Sequence, residues 1–245
     1  MKRNEHPEIS YRDPEFVESL EGRTLRILSE YLGPISRLDK AKINSTILFF
    51  GSAKADPSDA DSPFHRYYWE AEELAYLLAR WAVTIKKPKG KDFVVCTGAG
   101  PGIMEAANRG AARAGAKTIG MNISLPQPQP SNPYITPELS FVFHYFFMRK
   151  FCLAYKARAV IAFPGGFGTL DEFFEIITLL QTSKVSKKEL VLVLYGEDYW
   201  RKLIRFETFV DMKAISPEDL KLFRFCSTPG QAFAHLKRRL SKFLE

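Results

Sequence analysis

The sequence predicts an α/β fold: a Rossmann-like, doubly wound, mainly parallel sheet with helices on both faces. Three observations carry this. Short apolar runs alternate along the chain with longer segments of helical periodicity. Those runs are apolar nearly throughout rather than at every second residue, as a parallel strand covered on both sides requires. An internal echo completes the case: VVCTGAGPGIMEAA at 94–107 and VIAFPGGFGTLDEF at 160–173 each read as strand, glycine loop and helix.

Taken in order, residues 1–45 read as a helical extension of one or two amphipathic helices, with a break expected near Gly33-Pro34. Residues 46–245 then read as a single nucleotide-binding domain. TILFF (Thr46–Phe50) is the first strand, ending in Gly51-Ser52. Residues 54–63, rich in Asp, Pro and Ser, form a loop, and 65–85 a helix. Phe93–Cys96 is the second strand, followed by a glycine loop and an Ala-rich helix ending at Gly115. Lys117–Met121 is the third. The proline-rich segment 125–137 excludes regular helix or central strand, leaving a connecting loop or a cover over a ligand. The aromatic segment 141–157 becomes helical in its second half. Ala159–Phe163 is the fourth strand, with a helix reaching Gln181. Leu190–Tyr195 is the fifth, with one helix over 199–212. A short sixth strand near Leu222–Cys226 and a helix over 229–243 close the chain.

Composition narrows the chemistry. The 245 residues are 46% hydrophobic and 26% charged, enough for a large core and against disorder. The net charge of +7 favours anionic ligands. The cations are scattered, apart from a run at Lys86–Lys91 and the C-terminal end, and no basic–aromatic stripe marks a nucleic-acid partner. Cys96, Cys152 and Cys226 lie far apart, which argues against a disulfide framework and for a cytoplasmic setting. No secretory leader or membrane-spanning run is expected. His6, His65, His144 and His235 lack metal-ligand spacing, so no metal is expected.

The chemistry concentrates in two glycine loops. A helix N-terminus offers about four unpaired N–H groups and roughly half a positive charge. Stripped of side chains and placed after a strand, it lets an anion lie on the backbone. The first loop, Thr97–Gly102, fits neither the dinucleotide fingerprint nor the Walker loop, which argues against a dehydrogenase. A tight turn that brings helix and strand together explains it equally. In the second, Gly165, Gly166 and Gly168 surround Phe167, and Thr169 adds an amide and a hydroxyl. Asp171 and Glu172 follow at once. Thr169-Leu170-Asp171-Glu172 matches a capping box, with Thr169 as N-cap and Glu172 three positions on. The other reading sets a carboxylate beside the sugar of a bound sugar phosphate.

Met148-Arg149-Lys150 followed by PGGFGTLDE at 164–172 resembles the LOG family, the nucleotide phosphoribohydrolases often mislabelled as lysine decarboxylases. The family pattern PGGxGTxxE is met in full. Gly51-Ser52 resembles the family's first-strand turn. TGAGPGIMEAA resembles its glycine-rich loop, with Thr97 and Ala99 in place of two glycines. The resemblance covers about residues 45–230.

What the resemblance implies is hydrolysis of the N-glycosidic bond of a nucleoside 5′-monophosphate, AMP-like or N6-modified, to free base and ribose 5-phosphate. Cleavage builds positive charge on the ribose, and a carboxylate stabilises it and orients water. Glu172 is the candidate for that role. Arg149, carried over from the motif, is the second catalytic candidate. The phosphate would sit on Gly166, Gly168 and Thr169, beside Gly165. The resemblance adds Lys150 and Met148, the turn at Gly51 and Ser52, and Gly98, Gly100 and Gly102 of the first loop. It implies no cofactor and at least a homodimer. A non-catalytic nucleotide or molybdenum-cofactor carrier of the same fold is the alternative.

Overall fold

The computed structural model describes residues 9–85, 93–127, 129–186 and 189–244. The basic run at Lys86–Lys91 lies outside the described residues.

At the N-terminal end, Asp13 caps a short helix, α1 (Pro14–Glu18), by accepting from the Glu15 amide, and Pro14 presets the first φ. Helix α2 (Arg23–Lys40) runs unbroken through Gly33-Pro34, which corrects the expected break. Pro34 removes a single donor, and the Glu30 carbonyl it would have served accepts from the Cys152 thiol at 3.8 Å instead.

Among the described residues seven strands follow: β1 (Thr46–Phe50), β2 (Val94–Thr97), β3 (Thr118–Ile123), β4 (Ser140–Phe143), β5 (Ala157–Ala162), β6 (Val191–Tyr195) and β7 (Phe223–Cys226). Every pairing is parallel, in the order β4-β3-β2-β1-β5-β6-β7. The connecting helices are α3 (His65–Thr84), α4 (Ile103–Arg113), α5 (Phe146–Tyr155), α6 (Phe167–Gln181), α7 (Glu197–Leu203), α8 (Phe206–Asp211) and α9 (Pro229–Ser241).

Two further segments differ from expectation. The first half of the aromatic segment 141–157 holds a strand: β4 is an edge strand, with Phe141 and Phe143 buried and Val142 exposed, and its apolar run is parted from the aromatic start of α5 only by His144 and Tyr145, with no glycine or proline to mark the boundary. The single helix expected over 199–212 is two. Ile204 adopts extended geometry (φ −133°, ψ 122°) between them. That turn brings Phe206 inward, with ring centroids 4.8 Å from Phe223 and 6.0 Å from Phe173.

The sheet is coated on both faces. Alternate strand residues Ile47, Phe49 and Ile161 meet α3, α4 and α9. Their neighbours Leu48, Phe50 and Val160 meet α2, α5 and α6. Phe173, fully buried in the second layer, would cost about 3–5 kcal/mol if cut to Ala. Chain order reverses between β1 and β5, so the crossovers leaving them pass to opposite faces. The crevice this opens beyond the strand ends is where open α/β sheets hold ligands. Among the described residues no helix is long and apolar enough to cross a membrane.

Candidate functional site

Three loops converge on that crevice, and Ser52 ties them together. Its amide donates to the Pro164 carbonyl at 3.0 Å, and its carbonyl accepts from the Ile103 amide at 3.0 Å. The turn after β1 thus touches the starts of both glycine-loop helices. Gly102 caps α4 at φ 69°, where a side chain would collide with the Ser52 carbonyl.

The first loop holds Ala99 at φ 67°, a conformation glycine adopts more easily. A buried polar network keeps it there. The Thr97 hydroxyl accepts from the Ala99 amide at 3.0 Å and donates to Asn108 Oδ1 at 2.7 Å. Asn132 Nδ2 reaches the carbonyls of Ala99 (3.1 Å) and Gly100 (3.2 Å). Asn132 belongs to the proline-rich segment, which therefore fastens the first loop.

The second loop opens α6 at Phe167, with Gly166 as N-cap and no side-chain cap. Of the two readings of Thr169–Glu172, the capping box does not form. Thr169 lies within the first turn, and Asp171 and Glu172 fall in the second. The N-cap falls at Gly166, three residues before Thr169. A Cβ at Gly165 would collide with the Thr169 hydroxyl, so close approach demands glycine there. At Gly166 and Gly168 a Cβ would meet open space. Packing supplies no reason for these two glycines. Tyr199 donates its hydroxyl to the Gly165 carbonyl at 2.7 Å and braces the loop from α7.

Glu172, about one turn beyond Gly168 on α6, faces the crevice. Its Oε1 accepts from Arg149 Nη2 of α5 at 3.2 Å, and both side chains keep only 14% of their surface exposed. Burial pushes the Glu172 carboxyl up to about 7. Arg149 and Lys150 pull it down, and Asp171 and Glu175 push it up. Arg149 lies 5.4 Å from the Phe146 ring centroid, and its buried Nε has no partner among the described residues. A carboxyl that titrates near neutrality beside a fixed guanidinium can stabilise positive charge or handle a proton.

Arg149, Glu172, Gly165, Gly166, Gly168 and Thr169 share the wall of a cavity of about 510 Å³. Gly51, Ser52 and Gly98 complete its far side. That size suits a nucleotide-sized ligand. The remaining expected site residues lie elsewhere. Met148 is buried in the core layer of α5. Gly100 packs under Gln129 and Met104, and Gly102 borders a neighbouring hollow. Lys150 turns away to pair with Asp171 at 2.7 Å and Glu175 at 3.2 Å. Lys54, Phe64, Met104 and Tyr199 also line the cavity, and sequence reading missed them. Lys54 follows Gly51-Ser52 closely enough to have been found. Tyr199 arrives from a distant helix with no local signal.

The family model described as "Possible lysine decarboxylase" matches residues 104–236. The chain belongs to this family, the LOG-type proteins. A LOG-type relative is the pyrimidine/purine nucleotide 5′-monophosphate nucleosidase of Escherichia coli K12, 31% identical over 133 residues. The alignment takes in 47% of this chain and 28% of that protein, so the chain spans little more than a quarter of the length of the curated relatives it matches. Among solved structures, the molybdenum cofactor carrier protein of Chlamydomonas reinhardtii superposes with a TM-score of 0.52 at 20% identity, covering 81% of this chain and 99% of its own. A structural-genomics target solved by X-ray superposes with a TM-score of 0.52 at 17% identity, covering 79% and 99%. At these identities the likeness is one of fold.

Proposed function

We propose that this LOG-type chain hydrolyses the N-glycosidic bond of a nucleoside 5′-monophosphate, AMP-like or N6-modified, releasing free base and ribose 5-phosphate. The observation that carries this is the Arg149–Glu172 pair, held at 3.2 Å beside two glycines that packing does not require. A 5′-phosphate lying on the amides of Gly166, Gly168 and Thr169 gives those glycines a reason. It sets the ribose against Glu172, one helical turn further on.

In this scheme the remote phosphate holds the ribose in place for reaction. The leaving base draws electrons from the anomeric carbon, and the Glu172 carboxylate stabilises the oxocarbenium-like charge that develops. The same carboxylate orients the attacking water and takes its proton, which then passes by way of solvent to the base nitrogen that left with the electrons of the broken C–N bond. Arg149 holds the carboxylate in place and offers its Nε to a ribose hydroxyl. The named activity of the E. coli relative supports the same substrate class.

The protein works as a homodimer in this reading. Phe146, Phe147, Phe151 and Tyr155 stand half-exposed along α5, and Tyr31 of α2 lies 5.5 Å from Phe151. Burying such a face on a second copy removes it from water. Sedimentation equilibrium giving only monomer at micromolar concentration would contradict the pairing.

The test of function is incubation with a panel of nucleoside monophosphates, reading both free base and ribose 5-phosphate. Release of adenine from AMP, lost in Glu172→Gln, is the expected result. Tight binding of AMP with no release of base would favour the carrier alternative.

A further inference from the structure

Lys150 sits next to Arg149 in the motif, yet its ammonium points along the back of α6. It lies 2.7 Å from Asp171 Oδ2 and 3.2 Å from Glu175 Oε2. Asp171 and Glu175 are four residues apart on one helical face, where like charges repel. Glu172 lies between them in sequence and faces the cavity. Three carboxylates therefore crowd one turn and a half of α6, and Lys150 is the cation placed between the outer two.

Behind Glu172 the structure closes. A void of about 10 Å³ is bordered by Phe50, Leu153, Glu172, Glu175 and Lys150. That is at the lower limit of space for one water. Glu172 keeps 14% of its side chain exposed, against 57% for Asp171 and 37% for Glu175, so water screens the outer two carboxylates better than Glu172, and the Lys150 ammonium is a second cation beside Arg149 that offsets the negative charge around it. The charged groups acting on Glu172 are Arg149 and Lys150 from α5, and Asp171 and Glu175 from its own helix.

We propose that Lys150 is a positioning residue: bound between Asp171 and Glu175, it fixes the Glu172 carboxylate opposite Arg149 and offsets the negative charge on either side of it. This rests on the reading of Glu172 as the catalytic carboxylate. It replaces the expectation that Lys150 binds the phosphate. Through Lys150 the motif's Arg-Lys pair divides its work, one cation facing the substrate and the other holding the helix that carries the acid.

The test follows the Glu172 carboxyl by ¹³C NMR titration of the whole chain without nucleotide, assigned by its loss in Glu172→Gln. Lys150→Met should raise its midpoint by about one pH unit, since Arg149 alone then opposes both flanking carboxylates. Lys150→Arg should restore it. So should Lys150→Met combined with Asp171→Asn and Glu175→Gln, which removes the repulsion along with the cation and keeps the test open if Lys150→Met alone folds poorly. In turnover, Lys150→Met should lower kcat at pH 7 by about fivefold, the loss in ionised Glu172 that such a shift produces, with KM for AMP within about twofold. An unmoved Glu172 midpoint would overturn the proposal. So would a tenfold or greater loss, roughly, of inorganic phosphate affinity in Lys150→Met, the mark of a direct ligand. If the wild-type protein cleaves no monophosphate, the catalytic reading falls, and the titration still decides what Lys150 does to Glu172.

Discussion

Arg149 Nη2 and Glu172 Oε1 meet at 3.2 Å across the gap between α5 and α6, residues 23 positions apart in the chain. Neither side chain is more than 14% exposed, so the pair is shielded yet opens onto the cavity. Breaking it from either side leaves a largely buried charge without its partner.

Glu172→Gln keeps the shape of the side chain and removes its charge. Base release from AMP should fall by about 10²–10⁴-fold, the range expected for loss of a catalytic acid–base group. Circular dichroism should show an unchanged fold. Full turnover in a preparation verified free of contaminating nucleosidase would remove Glu172 from the mechanism.

Arg149→Ala should also lose turnover, by about 10²-fold or more, and it should move the pH profile. Burial raises Glu172 to about 7, and Arg149 counteracts that rise. With the carboxylate as the active form, kcat/KM should climb as pH rises through about 7. Without the guanidinium the climb should shift to higher pH. A profile flat from pH 5 to 9, roughly, would separate Glu172 from the rate-determining chemistry.

The same group ties stability to pH. Unfolded, Glu172 titrates near its ordinary 4.5; folded, near 7. Between those values the native state binds more protons than the unfolded one, so stability falls as pH rises through the window. The loss should be on the order of 1–3 kcal/mol. Urea unfolding of wild type and Glu172→Gln across pH 4–8 measures it. The difference between them should shift in the variant's favour with rising pH, and parallel curves would refute the raised value.

Much of this was legible in residues 157–181. An unbroken apolar strand, three glycines and an apolar helix appear there in sequence order, and the fold class and the position of Glu172 follow from the parallel-sheet rule and the motif. Lys150 was not legible, because its partners Asp171 and Glu175 belong to another helix, and no local pattern sets how α5 lies against α6. The T-x-x-E pattern placed the N-cap at Thr169, and the structure places it at Gly166. β4 escaped because its apolar residues Phe141–Phe143 run almost directly into the aromatic start of α5, with no turn residue between strand and helix. Tyr199 escaped because the contact that matters, to the Gly165 carbonyl, spans 34 residues of intervening chain.

Glu105 offers a control within the echoing loop. It accepts from the Tyr68 hydroxyl at 3.0 Å and borders the neighbouring hollow rather than the main cavity. Glu105→Gln keeps an acceptor for that hydroxyl, so turnover should stay within about threefold of wild type. A dead variant would move the chemistry to the first loop.

The glycines of the second loop separate packing from binding. Gly165→Ala drives a methyl group into the Thr169 hydroxyl and toward the Ser52 amide, so it should destabilise the fold by about 1–3 kcal/mol. Gly168→Ala meets no atom within 4 Å, and its position lies inside α6. Alanine there should stabilise the helix by up to about 1 kcal/mol. Yet the added methyl group stands where the proposed phosphate lies on the backbone, so KM for AMP should rise by about tenfold or more. A variant that melts higher and binds AMP as well as wild type would place the phosphate elsewhere.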